Sequence, residues 1–179
     1  MIIGFCGPLG SGKTTAANYL IERYGFTRHR LAGPLKAMMR ALGLSERHTD
    51  GDLKEVPCDL LGGKTPRFAM QVLGKEWGRD LVSPSLWTDA WKATMPEGDL
   101  VVEDVRFPNE PKLIRSAGED FGLLIRITRE PWSPIEDKLE RSHSSENQDL
   151  GPFDHEILNN GSIEALKAEI DSIMLRYRT

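Results

Sequence analysis

Three absences narrow the class of this protein. The sequence holds only two cysteines in 179 residues, too few for a disulfide framework, so we expect free thiols and a reducing compartment. No apolar run approaches the roughly 20 residues that cross a bilayer. The first residues lack the basic region and the length of a secretory signal. We therefore expect a cytoplasmic protein with no membrane partner.

An excess of basic charge is also missing. Lysine and arginine number 23 against 27 acidic residues, which gives a net charge of -4. A broad nucleic-acid surface needs the opposite balance, so we expect no nucleic-acid partner. A small phosphorylated ligand remains compatible with this charge, because a few convergent arginines suffice to bind it.

Apolar runs alternate with helical patterns along the chain. Strands are predicted at residues 2–6, 27–32, 100–105, 121–128 and 156–158, and the segments between them read mostly as helices. This order predicts an α/β fold with a mostly parallel central sheet and helices on both faces. We expect a single domain over residues 1–179, with two mobile segments near residues 44–64 and 130–148.

The sharpest motif follows the first predicted strand. Residues 7–14, Gly-Pro-Leu-Gly-Ser-Gly-Lys-Thr, fit the phosphate-binding loop (P-loop) at every fixed position and lead into a helix. Glycines let backbone N–H groups surround a phosphate, and the helix N-terminus adds positive charge. The predicted ATP-binding residues are Gly7, Gly10, Ser11, Gly12, Lys13, Thr14 and Thr15. Lys13 would reach the β- and γ-phosphates and Thr14 would ligate Mg²⁺. P-loops serve kinases, GTPases and motor ATPases alike, so the loop does not name the reaction.

A second candidate region is the helix predicted from Pro66 to Asp80. At 100° per residue, Arg67, Gln71, Gly74 and Gly78 form one stripe. An arginine can fork onto a phosphate, an amide can contact a base edge, and glycines allow close approach. The alternative is a solvated face whose glycines pack against another helix.

Charged residues stand at the end of the predicted strand at residues 100–105. Ligands of parallel α/β sheets lie at the carboxyl ends of strands, so Asp104 would hold a water of the Mg²⁺ shell or orient an acceptor, and Arg106 would face phosphates. The alternative is that Asp104 caps the following helix.

Arg129 follows the next strand, at the start of a charged segment that contains two prolines. A kinase needs cations that arrive when its site closes and water is excluded. Arg129 fits that role if the segment forms a lid, in which His143 and Glu146 would be polar contacts; otherwise it is an exposed arginine. Trp87 and Trp91, four residues apart, favour a core role over base stacking.

Several runs together resemble a known family. They are residues 7–14, Gly-Pro-Leu-Lys at 33–36, Lys-Thr-Pro-Arg at 64–67, Met-Gln-Val-Leu-Gly-Lys-Glu-Trp-Gly-Arg-Asp at 70–80, Glu-Asp-Val-Arg-Phe-Pro-Asn-Glu at 103–110, His-Ser-Ser-Glu at 143–146 and Asn-Asn-Gly-Ser at 159–162. In this order they resemble the deoxynucleoside monophosphate kinases of tailed bacteriophages, relatives of adenylate kinase. The runs at 70–80 and 103–110 are the most specific.

The resemblance implies a P-loop NTPase three-layer fold and the ATP- and Mg²⁺-dependent phosphorylation of a deoxynucleotide for DNA synthesis, in a host cytoplasm if the chain is phage-encoded. It implies an acceptor-binding insertion over about residues 33–95 and a lid over about residues 129–148. The implied catalytic residues are Lys13, Asp104, Arg106 and Arg129, with Thr14 and, through water, Asp104 at the metal. The implied acceptor-binding residues are Lys36, Arg67, Gln71, Trp77, Arg79, Arg106, His143 and Glu146.

One departure concerns selectivity. The family usually has aspartate where Gly33 stands, so neither the preferred base nor the choice of deoxyribose over ribose carries over. The sequence also leaves a homodimer open. Two rival functions remain: a kinase for another small acceptor, such as dephospho-coenzyme A, and a P-loop ATPase that acts as a switch.

Overall fold

A five-stranded parallel sheet forms the centre of the fold in this computed structural model, which describes residues 1–117, 121–130 and 150–178. The strand order is β2-β3-β1-β4-β5. The strands are β1 (Ile2–Cys6), β2 (Thr27–Arg28), β3 (Leu100–Val102), β4 (Gly122–Thr128) and β5 (His155–Leu158). All four pairings are parallel, as the alternation of strands and helices predicts.

Seven α-helices are described. They are α1 (Lys13–Tyr24), α2 (Gly33–Ala41), α3 (Glu46–Thr49), α4 (Pro66–Val72), α5 (Leu86–Ala93), α6 (Asn109–Ala117) and α7 (Ile163–Tyr177). A 3₁₀ turn spans Asp59–Leu61, and α4 continues into a π-helical segment, Leu73–Val82. No described helix is long and apolar enough to cross a membrane.

The chain forms two compact units. The first contains residues 1–30 and 96–179, and the second contains residues 31–95. In the first unit, Ile3 and Phe5 of β1 are fully buried in a cluster with apolar residues of α1 and α7. On the opposite face, a Cβ at Gly4 would meet Ile114 of α6 at 3.2 Å. Helices therefore cover both faces of the sheet, and the predicted α/β fold class is confirmed.

The second unit has a smaller core of its own. Its buried residues are Leu35, Met39, Leu44, Met70 and Trp87. Trp87 and Trp91 are both buried, as the core interpretation of this pair predicts.

Local signals set most of the helix ends. Gly25 ends α1 in the left-handed conformation (φ 74°). The Thr65 hydroxyl accepts the Phe68 N–H ahead of Pro66, and the Ser162 hydroxyl accepts the Ala165 N–H at the start of α7. The predicted strand at residues 27–32 is shorter in the structure, since only Thr27 and Arg28 pair with β3.

The predicted loop at residues 44–64 contains the short helix α3. It begins with a reciprocal capping box in which Ser45 and His48 exchange hydrogen bonds. The loop prediction was therefore wrong at α3 and at the 3₁₀ turn, each too short to produce an apolar period.

Candidate functional site

The P-loop joins β1 to α1, and two of its glycines lie against other parts of the first unit. Gly7 has φ 133° and Gly12 has φ 107°. A Cβ at Gly7 would collide with the Ile127 carbonyl of β4, and one at Gly12 would collide with the Asn159 side chain beyond β5. Any larger residue would therefore deform the loop through both strain and contact.

Lys13 is the first residue of α1, and its side chain hydrogen-bonds back to the P-loop backbone. Its Nζ donates to the carbonyl oxygens of Gly7 (2.7 Å) and Pro8 (2.6 Å). Thr14 is exposed and Thr15 is half-buried on the first turn. The Ser11 hydroxyl is buried and lacks a hydrogen-bond partner among the described residues. The chain thus gathers the predicted ATP-binding residues in one loop at a helix N-terminus, where an anion is stabilised.

The chain beyond β3 carries the second predicted group. Asp104 is half-buried and Arg106 is exposed. The carboxylate of Glu110, which is 2% exposed, accepts the N–H groups of Arg106 (2.6 Å) and Phe107 (2.9 Å). Glu110 therefore fixes the backbone that presents Arg106, a positioning role that the sequence reasoning missed.

Glu103 is a second residue that the sequence reasoning missed. Its carboxylate is buried, and its Oε1 accepts from Arg30 Nε at 2.7 Å and lies 3.3 Å from Arg28 Nε. Arg28 also donates to Asn18 of α1 (2.5 Å). Glu103 Oε2 is buried without a hydrogen-bond partner among the described residues. Two features of the sequence could have identified this pair. Glu103 directly follows the buried strand β3, and Arg28 and Arg30 lie at the end of β2 and just beyond it.

The end of β4 carries the predicted lid arginine. Arg129 is exposed there. Arg126, three residues earlier, lies 3.7 Å from the Glu156 carboxylate and over the Phe153 ring. His143, Glu146 and residues 131–148 of the predicted lid lie outside the described residues.

The glycine stripe of the second unit does not have its predicted environment. A Cβ at Gly78 would meet the Trp87 indole at 2.5–2.7 Å, and one at Gly74 would meet Leu35 at 3.0 Å. The Gly74 carbonyl also accepts Trp87 Nε1–H at 2.8 Å. The prediction that these glycines admit a ligand was wrong, because they instead admit the side chains of neighbouring helices. The π-helical segment also breaks the 100° spacing on which the stripe rests.

Two of the predicted acceptor cations contact carboxylates. Lys36 forms an ion pair with Asp50, and Arg67 forms one with Glu55. The Arg67 N–H also donates to the Lys54 carbonyl at 2.9 Å.

Gln71 and Arg79 are half-buried. Trp77, an implied acceptor-binding residue, is 40% exposed, with its ring centroid 6.3 Å from that of Trp87. This exposure leaves the indole available to a ligand. Gly33 begins α2, and a Cβ there would meet nothing within 4 Å.

The donor atoms available for a metal are few. Within the described ranges, no group of three or more His, Cys, Asp or Glu residues could hold a metal ion. Mg²⁺ usually keeps several waters and is bound by one or two protein oxygens together with substrate phosphates. The hydroxyl of Thr14 and the carboxylate of Asp104 fit that mode of binding.

Solved structures share the fold of this chain. The fold is similar to that of shikimate kinase from Aquifex aeolicus vf5, with a TM-score of 0.54, 14% identity and coverage of 99% of this chain and 98% of that one. It is also similar to TT1252 from Thermus thermophilus, with a TM-score of 0.53, 19% identity and coverage of 99% and 97%. At such identities the likeness concerns the fold alone.

Sequence relatives define the family. No family model matches the chain. An Acanthamoeba polyphaga mimivirus protein named a deoxynucleotide monophosphate kinase is 35% identical over 191 aligned residues, covering 96% of this chain and 95% of the relative. The deoxynucleoside-5'-monophosphate kinase of Escherichia phage T5 is 31% identical over 115 residues, covering 59% of this chain and 44% of the relative. The chain belongs to this family of viral deoxynucleotide monophosphate kinases, which confirms the resemblance found in the sequence.

Proposed function

We propose that this protein transfers the γ-phosphoryl group of ATP to a deoxynucleoside monophosphate, giving ADP and a deoxynucleoside diphosphate for DNA synthesis. The observation that carries the proposal is the similarity to the mimivirus relative along 96% of the chain. The P-loop geometry supports the donor half of the reaction independently.

On the donor side, the P-loop backbone would bind the phosphates of ATP. Lys13 now lies on the carbonyls of Gly7 and Pro8, and these neutral contacts would give way to the more strongly attracting β- and γ-phosphates. Thr14 would ligate Mg²⁺ directly and Asp104 would hold it through a water. Bound Mg²⁺ would offset charge on the transferring group.

On the acceptor side, Arg67 and Lys36 would bind the monophosphate. Each already faces an anion, Glu55 and Asp50 respectively. A phosphate would compete for the same cations with more charge and more acceptor oxygens. Trp77, Gln71 and Arg79 would shape the pocket for the base and sugar.

Two arginines of the first unit would act on the transferring group. Arg106 is exposed on a backbone that Glu110 holds in place. Arg129 would stabilise the equatorial oxygens when the site closes, a role that His143 and Glu146 would support.

The deciding experiment is a coupled ADP-release assay with Mg-ATP against each common dNMP and NMP. The proposal requires ADP release that depends on a deoxynucleoside monophosphate and fails in Lys13→Ala. Slow release that no monophosphate stimulates would instead favour the ATPase switch. Stimulation by dephospho-coenzyme A alone would favour the other acceptor class.

A further inference from the structure

The segment that follows β5 contacts the P-loop directly. Asn159 Nδ2 donates to the Ser11 carbonyl oxygen at 2.8 Å. The Asn159 N–H donates to the Thr128 carbonyl at the end of β4 at 2.7 Å. This bond holds the backbone of Asn159 in place beside the P-loop. A carbonyl oxygen only accepts, so the amide must present its NH₂ group to Ser11. This contact links positions 148 residues apart.

The contact acts on one peptide plane of the P-loop. In a planar trans peptide the carbonyl and the following N–H point in opposite directions. By holding the Ser11 carbonyl on one side, Asn159 directs the Gly12 N–H to the other. Gly12 adopts φ 107° and has no Cβ, so steric preference alone does not fix this plane.

We propose that Asn159 is a positioning residue for the nucleotide: it orients the Ser11–Gly12 peptide so that the Gly12 N–H faces the phosphates. The inference rests on the proposed use of the P-loop for ATP. It also accounts for Gly12, because a Cβ there would collide with the Asn159 amide. Asn159 touches no substrate in this role, and its effect passes through the backbone of the loop.

The test compares Asn159→Leu, which keeps the branched shape without the donor, and Asn159→Ala with Asn160→Ala. Asn160 is the matched control because its side chain accepts the Glu130 N–H (2.7 Å) instead of contacting the P-loop. Calorimetry would measure the affinities of Mg-ATP and of inorganic tripolyphosphate, which probes the loop without a base. We expect both affinities to fall about 3- to 10-fold in the Asn159 variants, the scale of one hydrogen bond. The KM for the preferred dNMP should stay within about twofold, and Asn160→Ala should bind both probes like the wild type.

A loss for ATP with none for tripolyphosphate would overturn the inference, since Asn159 would then act on the nucleoside. Unchanged ATP affinity in a variant would overturn it as well, whereas a wild-type protein that binds no ATP would refute the proposed function itself. If the variants fail to fold, an NMR titration of the wild-type protein tests the inference instead. The Gly12 amide resonance should shift when tripolyphosphate is added. A Gly12 resonance that does not move while the probe binds would also overturn the inference.

Discussion

The two phosphate-binding regions proposed here hold their positive charge in different ways. The P-loop relies on backbone N–H groups, and its one cation, Lys13, donates to the carbonyls of Gly7 and Pro8. In the second unit, Lys36 and Arg67 each contact a carboxylate. In the proposed mechanism, Lys13 would exchange neutral carbonyls for phosphates, while an acceptor phosphate would have to displace the carboxylates of Asp50 and Glu55 from their cations. Changes to the P-loop should lower turnover strongly, and changes to the second unit should act mainly on acceptor affinity.

The largest expected effect is that of Lys13→Ala. Turnover should fall by on the order of 10²-fold or more, the scale for losing a key electrostatic group. The thermal midpoint should hardly move, because the hydrogen bonds to Gly7 and Pro8 are local contacts within one loop. Lys112→Ala, an exposed lysine of α6, is the matched control. Turnover within threefold of wild type in Lys13→Ala would contradict the P-loop assignment.

Arg67→Ala comes next and tests the acceptor half. The affinity for the dNMP should fall roughly 10- to 150-fold, as expected for a lost charge-assisted fork, and the affinity for ATP should not change. Arg47→Ala is a fitting control, since Arg47 lies in the same unit and pairs with an exposed carboxylate, Asp52. An equal loss of ATP affinity would remove the distinction between the two regions.

Asp104→Asn keeps the size of the side chain and removes its charge. We expect turnover to fall about 10- to 100-fold, as for other outer-shell partners of a metal. The requirement for Mg²⁺ should rise in a titration of activity against metal. Glu169→Gln, an exposed change on α7, should leave both quantities unaltered, and an Asp104→Asn enzyme with a normal metal requirement would exclude Asp104 from the metal site.

Gly78→Ala tests the corrected role of the glycine stripe. The new Cβ would lie 2.5–2.7 Å from the buried Trp87 indole, so overpacking should destabilise the protein by about 1–3 kcal/mol. This corresponds to a fall of roughly 3–10 °C in the thermal midpoint. Gly33→Ala is the matched control, because a Cβ there meets nothing within 4 Å. A normal midpoint together with weakened dNMP binding would restore the ligand interpretation of the stripe.

The same contrast between regions explains which features were predictable from the sequence. The P-loop, the cap at Gly25 and the Thr65–Pro66 helix start depend on residues adjacent in sequence, so local rules predict them. The environments of Gly74 and Gly78 depend on Leu35 and Trp87 in other helices, which periodicity cannot identify.

Two carboxylates show the same limit at the candidate site. Glu103 and Arg30 meet across 73 residues, so no local pattern predicts their ion pair. Glu110 stands only four residues from Arg106, but its role appears only once the loop between them is folded. The residues proposed for catalysis and acceptor binding remain predictions until the variants are measured.

The smallest expected effect is that of Glu55→Gln, which tests whether the carboxylate competes with substrate. Glu55 is 59% exposed and Arg67 is 32% exposed, so solvent screens their ion pair and its loss should hardly change stability. Removing the negative charge removes one anion that competes with the phosphate for Arg67. The dNMP should then bind about two- to fivefold more tightly, in line with the small energies of exposed ion pairs. Calorimetric titration measures this change, and Asp52→Asn supplies the control, because Asp52 pairs with Arg47 instead. Weaker dNMP binding in Glu55→Gln would mean that Glu55 orients Arg67 for the phosphate. In that case the phosphate would not compete with Glu55, and the contrast between the two regions would not hold.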